Sequence, residues 1–205
     1  MAVFTNIYLA LALWTAAYVL DYALTIRSAR LYRAGANQHL TFGGSLELTP
    51  VFQKDVDRLR RVSPRFIFFL ILSNLLLGML WVLAVVILPL PGVFALAAGS
   101  LILREAPILL RHARNLSLFQ SARQPGALIG RLDYARWLVL KSSALELFTF
   151  AIFFLLVFAL ARDWFWLGGA IGCAALALSH RRMARRARLV TASAGTPPGP
   201  PAPDR

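Results

Sequence analysis

Residues 66–88 read FIFFLILSNLLLGMLWVLAVVIL. These 23 positions carry no charge, and Ser73 and Asn74 are their polar side chains. At about 1.5 Å of rise per residue, a helix over this run is roughly 35 Å long. The hydrocarbon core of a bilayer is about 30 Å thick and takes about 17–25 apolar residues to cross. The stretch is therefore read as a membrane-spanning helix, and the rest of the chain is placed around it. Ser63-Pro64 breaks the chain just before it, and Pro89-Leu90-Pro91-Gly92 turns it straight afterwards.

Four further apolar runs flank this one, at 4–26, 93–110, 144–161 and 164–179. The run at 93–110 is interrupted by Arg104, Glu105 and Pro107. The last run is short, and Trp164 and Trp166 extend it as interfacial anchors. Two connections are tight, the Pro-rich turn at 89–92 and Arg162-Asp163, so the last four runs read as two helical hairpins. The predicted fold is an all-α integral membrane protein of five spans within one domain, residues 1–191. A Pro/Gly-rich tail at 192–205 is expected to be disordered.

The composition agrees with that frame. Hydrophobic residues make up 59% of 205 residues and charged ones 15%, with a mean hydropathy of +0.64. A soluble chain of this size cannot cover so much apolar surface, which excludes an ordinary soluble enzyme, a disordered protein and a disulfide scaffold. The single cysteine, Cys173, cannot form a disulfide within the chain. Residues 1–6 hold no Lys or Arg, so the first run is expected to remain as a span and not to leave as a signal peptide.

The net charge of +13 orients the spans. Basic residues fill segments 27–65, 111–141 and 180–205, and the two hairpin tips hold only Arg162. Five spans put all three basic segments on one side, which predicts the N-terminus outside and the C-terminus inside. Twenty of the 22 basic residues are Arg, which points to a GC-rich bacterial genome and so to the inner, cytoplasmic membrane. The expected partners are the bilayer and anionic lipids at its cytoplasmic face. Nucleic acid is not expected, because basic segments beside spans are the ordinary topology signal.

Within 27–65, Gly35-Ala36-Asn37 marks a turn and residues 39–48 suggest a short hairpin around Gly43-Gly44. Thr49-Pro50 then starts an amphipathic surface helix with Phe52, Val56 and Leu59 on one face. A second surface helix is expected over 126–141. The loop at 39–48, which carries His39 and Glu47, reads first as an ordinary solvated loop, and folding back under the bundle as a lid is the alternative.

Ionisable groups within spans are costly and direct attention to function. Asp21, Asn74, Glu105 and Glu146 all fall in the third of the bilayer nearest the basic segments, Asp21 roughly 9 Å and Asn74 roughly 13 Å from the span end. They are the candidate ion-binding or transport residues. Trp14, Ala17, Asp21 and Thr25 share a helix face, as do Glu105 and His112. Pro107 removes one backbone hydrogen bond beside the charged pair, a pattern found in transporter sites. Arg104, Arg111 and Arg114 are candidates for holding an anionic headgroup. His112, Glu47 and His39 are candidate metal ligands. Interhelical ion pairing alone accounts equally well for Asp21 and Glu105, and a structural role is the preferred reading of Glu146 and Asn74.

Small-residue stripes (Gly168 with Gly172, Ala95 with Gly99) permit close helix packing, within the chain or in a homo-oligomer. No C-x-x-C, H-E-x-x-H, phosphate-binding loop or G-x-S-x-G is present, and no cofactor is indicated. Three functions stay open. The first is a cation or proton transport or channel component, the second a membrane enzyme acting on an anionic lipid headgroup, and the third a non-catalytic scaffold or assembly factor.

Overall fold

A computed structural model describes residues 5–124 and 126–193. Six α-helices and two short strands follow in the order α1 (Ile7–Arg33), β1 (Leu40–Phe42), α2 (Pro50–Asp57), α3 (Pro64–Trp81), α4 (Pro91–Ser121), β2 (Leu132–Tyr134), α5 (Arg136–Ala161) and α6 (Trp164–Ser193). A π-helical turn, Val82–Ile87, carries α3 on to the hairpin tip. Local chemistry sets the ends. The Asn6 side chain accepts a hydrogen bond from the Leu9 N–H at the start of α1. Ser63 does the same for Phe66, with Pro64 in the first turn of α3. Arg162, in the left-handed region at φ 54°, ends α5.

Among the described residues, four helices are long and apolar enough to cross a membrane: α1, α3 with its π turn, α4 and α5. Their outward faces are apolar, with Met79 69% and Leu156 60% exposed. That is the surface of an all-α protein embedded in lipid.

The helices pack as a row in the order α5, α6, α4, α1, α3. The wedge between α5 and α4 is α6. It fits there because a Cβ on Gly168 would lie 2.0 Å from the Leu96 carbonyl oxygen, and one on Gly172 2.4 Å from that of Ser100. Gly99 faces the Phe165 carbonyl in the same way, at 1.9 Å. The small-residue stripes are thus used inside the chain, backbone against backbone. Phe94, Ala95, Ala98 and Phe165 form one buried core, and Leu147, Phe154, Cys173 and Ala177 another.

Several boundaries differ from the sequence expectation. The first span runs on to Arg33, and the third, expected to stop at 110, continues to Ser121 through Pro107. The fourth begins at Arg136, within the upstream extension through Tyr134 and Trp137 that the sequence allowed, and α6 continues through its arginines to Ser193. These helices outrun the hydrocarbon because their basic ends still bury one face. On α4, Phe119 packs with Ala36, Leu40 and Ala122. The expected surface helix is present as α2, but residues 126–141 hold β2 and the first turns of α5. The suggested hairpin at 39–48 is not formed. β1 pairs in parallel with β2, Leu40 opposite Leu132 and Phe42 opposite Tyr134. The Phe42 and Tyr134 rings stack at 5.3 Å, which gives this short pair a hydrophobic reason to form. Of the expected disordered tail, residues 194–205 lie outside the described residues.

Candidate functional site

The face of α1 that carries Trp14, Tyr18, Asp21, Tyr22 and Thr25 turns towards α4, which presents Arg104, Glu105, Ile108, Arg111 and His112. Spacings of three and four residues on both helices align these side chains along one seam. Between them lies a cavity of about 440 Å³. Phe66, Phe69 and Ser73 of α3 wall one side, and His180 of α6 reaches in from another. The loop from Phe42 to Thr49, the start of α2, and Arg136 and Val139 of α5 also line it. The loop that carries Glu47 therefore does fold against the helices.

Asp21 and His112 meet inside this cavity. Nε2 of His112 lies 3.0 Å from Oδ1 of Asp21 and 3.2 Å from Oγ1 of the buried Thr25. The Asp21 contact has ion-pair distance but not hydrogen-bond alignment, for Oδ1 is buried with no hydrogen-bond partner among the described residues. Glu105 is 3% exposed and accepts a hydrogen bond from Nη2 of its neighbour Arg104 at 2.9 Å. The Arg104 guanidinium stands 6.0 Å from the centre of the Trp14 ring, and its buried Nε has no partner among the described residues.

The other arginines are engaged. Arg111 donates to Ser143 Oγ and lies 3.7 Å from Glu146. Arg114, mostly exposed, holds the other Glu146 oxygen at 3.2 Å. Ser143 in turn meets His180. Arg136 donates to the carbonyl oxygens of Ser45 and Glu47, strapping the loop to the start of α5. The Glu47 carboxylate accepts from the Thr49 N–H at 2.6 Å. Burial raises its pKa, the Asp21 charge adds to the rise, and the Thr49 hydrogen bonds oppose it.

Of the sequence candidates, Asp21, Glu47, Arg104, Glu105, Arg111 and His112 share the cavity. Asn74 does not line it. Asn74 donates to the Leu70 carbonyl and accepts from Thr15 in the seam between α1 and α3. Glu146 sits beyond Arg111, between α4 and α5, and Arg114 with it. His39 is tied to the Gly130 carbonyl at 3.1 Å, away from the other two proposed metal ligands. Among the described residues no group of three or more His, Cys, Asp or Glu side chains is placed to hold a metal ion.

Tyr18, Tyr22, Phe66 and Arg136 were not singled out from the sequence. The first two carried a signal, because Trp14, Tyr18 and Tyr22 recur every four residues beside Asp21. Arg136 carried none, since its role depends on where the loop lies. No protein-family model, curated protein or solved structure matches this chain.

Proposed function

We propose that the cavity receives an amphiphile with an anionic head from the membrane leaflet on the basic side, and that the protein is a membrane enzyme acting on that head. The observation that carries this reading is the placement of Arg104 and the Asp21–His112 pair in one aromatic-walled chamber. Arg104 has an unpartnered Nε and is the guanidinium with donors to spare for a phosphate or carboxylate oxygen. His112 Nε2 lies 3.2 Å from the Thr25 hydroxyl and 3.0 Å from the Asp21 carboxylate, which leaves Nδ1 as the nitrogen that would take or give a proton at the bound head. Trp14, Tyr18, Phe66 and Phe69 offer the apolar wall that a lipid chain requires.

The proposal includes five spans, N-terminus outside and C-terminus inside the cell. In its support, the apolar half of α6 lies beside the part of α4 that enters the bilayer, Gly168 against Leu96 and Gly172 against Ser100. The basic ends of α1, α4 and α6 would then face an anionic cytoplasmic leaflet.

A cation or proton path built from Asp21, Asn74, Glu105 and Glu146 is less well supported. Glu105 and Glu146 each lie against arginine, and Asn74 and Glu146 lie outside the cavity. The test is turnover in nanodiscs of phosphatidylglycerol and phosphatidylcholine, with phosphatidylglycerol, phosphatidate and a polyprenyl phosphate as substrates and mass spectrometry of the headgroup as readout. His112→Ala is expected to lower kcat by roughly a hundredfold or more, and Arg104→Gln to raise KM. Wild-type protein that turns over none of these, and that carries a proton or cation flux abolished by Asp21→Asn, would replace the enzyme with the transport reading.

A further inference from the structure

A second cavity, of about 530 Å³, lies on the outer side of the seam between α1 and α3. Its polar lining is Arg27 and Arg30 of α1 and Arg61 just before α3. Among the described residues none of these three guanidiniums makes a side-chain hydrogen bond or ion pair, while Arg33, Arg60 and Arg65 nearby are each engaged. The three side chains are exposed and carry the same charge, so an anion placed among them is attracted by all three.

The rest of the groove is apolar and graded in depth. Val19 and Ile67 flank it, 45% and 42% exposed, with Ala23 and Ile26 between them and the arginines. From Val19 to Arg30 is eleven residues of helix, roughly 16 Å. The surface is thus oily at one end and tricationic at the other over about the hydrocarbon depth of one leaflet. That is the profile of a phospholipid, with acyl chain beside Val19 and Ile67 and phosphate at the guanidiniums. A free phosphate would match only the upper end. We infer that this groove is a binding site for an anionic phospholipid, recognised by Arg27, Arg30 and Arg61 through its phosphate.

The site is separate from the central cavity. Tyr22 and Phe66 line both, and their stacked rings, 4.5 Å apart, form the wall between them. Tyr22 is fixed there by donating to the Arg60 carbonyl at 2.9 Å. The inference therefore does not depend on what the central cavity binds.

The full-length protein, purified from nanodiscs holding phosphatidylglycerol and phosphatidylcholine in equal amount, is examined by native mass spectrometry for retained lipid, with wild type and each variant also compared in an Arg104→Gln background so that lipid in the central cavity is counted apart. Wild type is expected to keep phosphatidylglycerol in preference to phosphatidylcholine. The R27Q/R30Q/R61Q variant is expected to lose that preference by about a hundredfold, at roughly fivefold per basic side chain. R181Q/R182Q/R185Q, which removes equal charge from α6, is expected to keep it. Added inorganic phosphate is expected not to displace the lipid. Equal loss in both variants would mean diffuse attraction to the leaflet and overturn the site, as would retention of the preference in the first variant or displacement by phosphate alone. Should that first variant fail to fold, a photoactivatable phosphatidylglycerol on wild type decides. Labelling of residues 19–30 and 61–67 supports the site, and labelling elsewhere overturns it.

Discussion

Oγ of Ser143 lies 2.8 Å from Nδ1 of His180, and both side chains are buried between α5 and α6. The same hydroxyl accepts from Arg111 of α4. One small side chain therefore joins three helices. Removing it leaves a buried guanidinium and a buried imidazole short of a partner. Ser143→Ala is expected to lower stability by about 1–3 kcal/mol, since an orphaned buried polar group costs about that much. Reversible unfolding in mixed detergent measures it, and an unchanged midpoint would show that Arg111 and His180 re-pair elsewhere.

Two glycine substitutions separate packing from propensity. A methyl on Gly168 meets the Leu96 carbonyl oxygen at 2.0 Å, where backbone cannot give way. Gly168→Ala is expected to destabilise by about 3 kcal/mol or more, the upper end for overpacking, and to pry α6 from α4. Gly78 of α3 has open space around it. Gly78→Ala is expected to be neutral or to stabilise by about 0.5–1 kcal/mol through helix propensity. The same unfolding assay compares them, and equal effects would refute the backbone contact.

Glu47 sets an acid-side dependence. Burial raises its carboxyl above the ordinary value of 4.5, with the Asp21 charge next. A carboxyl raised on folding holds its proton longer in the native state than in the unfolded one. Its contribution is fully present below about pH 4.5 and is lost as pH rises through the raised value. Over that window wild type is expected to lose stability relative to Glu47→Gln, and melting curves between the ordinary and the raised pKa check the sign. Parallel curves for the two proteins would place the carboxylate in water.

Arg136 ties the loop at Ser45 and Glu47 to α5. Arg136→Gln is expected to leave the helices intact and to speed amide exchange over residues 43–49 by roughly tenfold, the effect of losing one or two hydrogen bonds that hold a surface segment. Hydrogen exchange read by mass spectrometry resolves that window. Exchange that rises equally in α1 and α4 would mean a global effect.

What the sequence revealed follows from what periodicity can carry. Asp21, Glu105 and His112 stood out because a charge in an apolar run is rare and because helical spacing says which side chains share a face. Their meeting in one cavity was within reach of that logic. Asn74 and Glu146 stood out for the same reason, yet they face away from the cavity, and rotation about a helix axis is settled only by its neighbours. Helix ends at Arg33 and Ser121 were hidden because the basic continuation reads as loop when its buried stripe, Phe119 and Ala122, is short. The partner of β1 was beyond local reading altogether, ninety-two residues downstream at Leu132.

That parallel pairing also fixes an order of events during synthesis. Leu40 has no strand to join until Leu132–Tyr134 has left the ribosome. At about 5–20 residues per second this is a wait of roughly 5–20 s. Until then α1, α3 and α4 can enter the bilayer while the segment that carries Glu47 lacks both its strand partner and Arg136. A chain halted before β2 therefore lacks the strand partner, Arg136 and also His180 of α6, so the lining of the chamber is complete only when all three have been made.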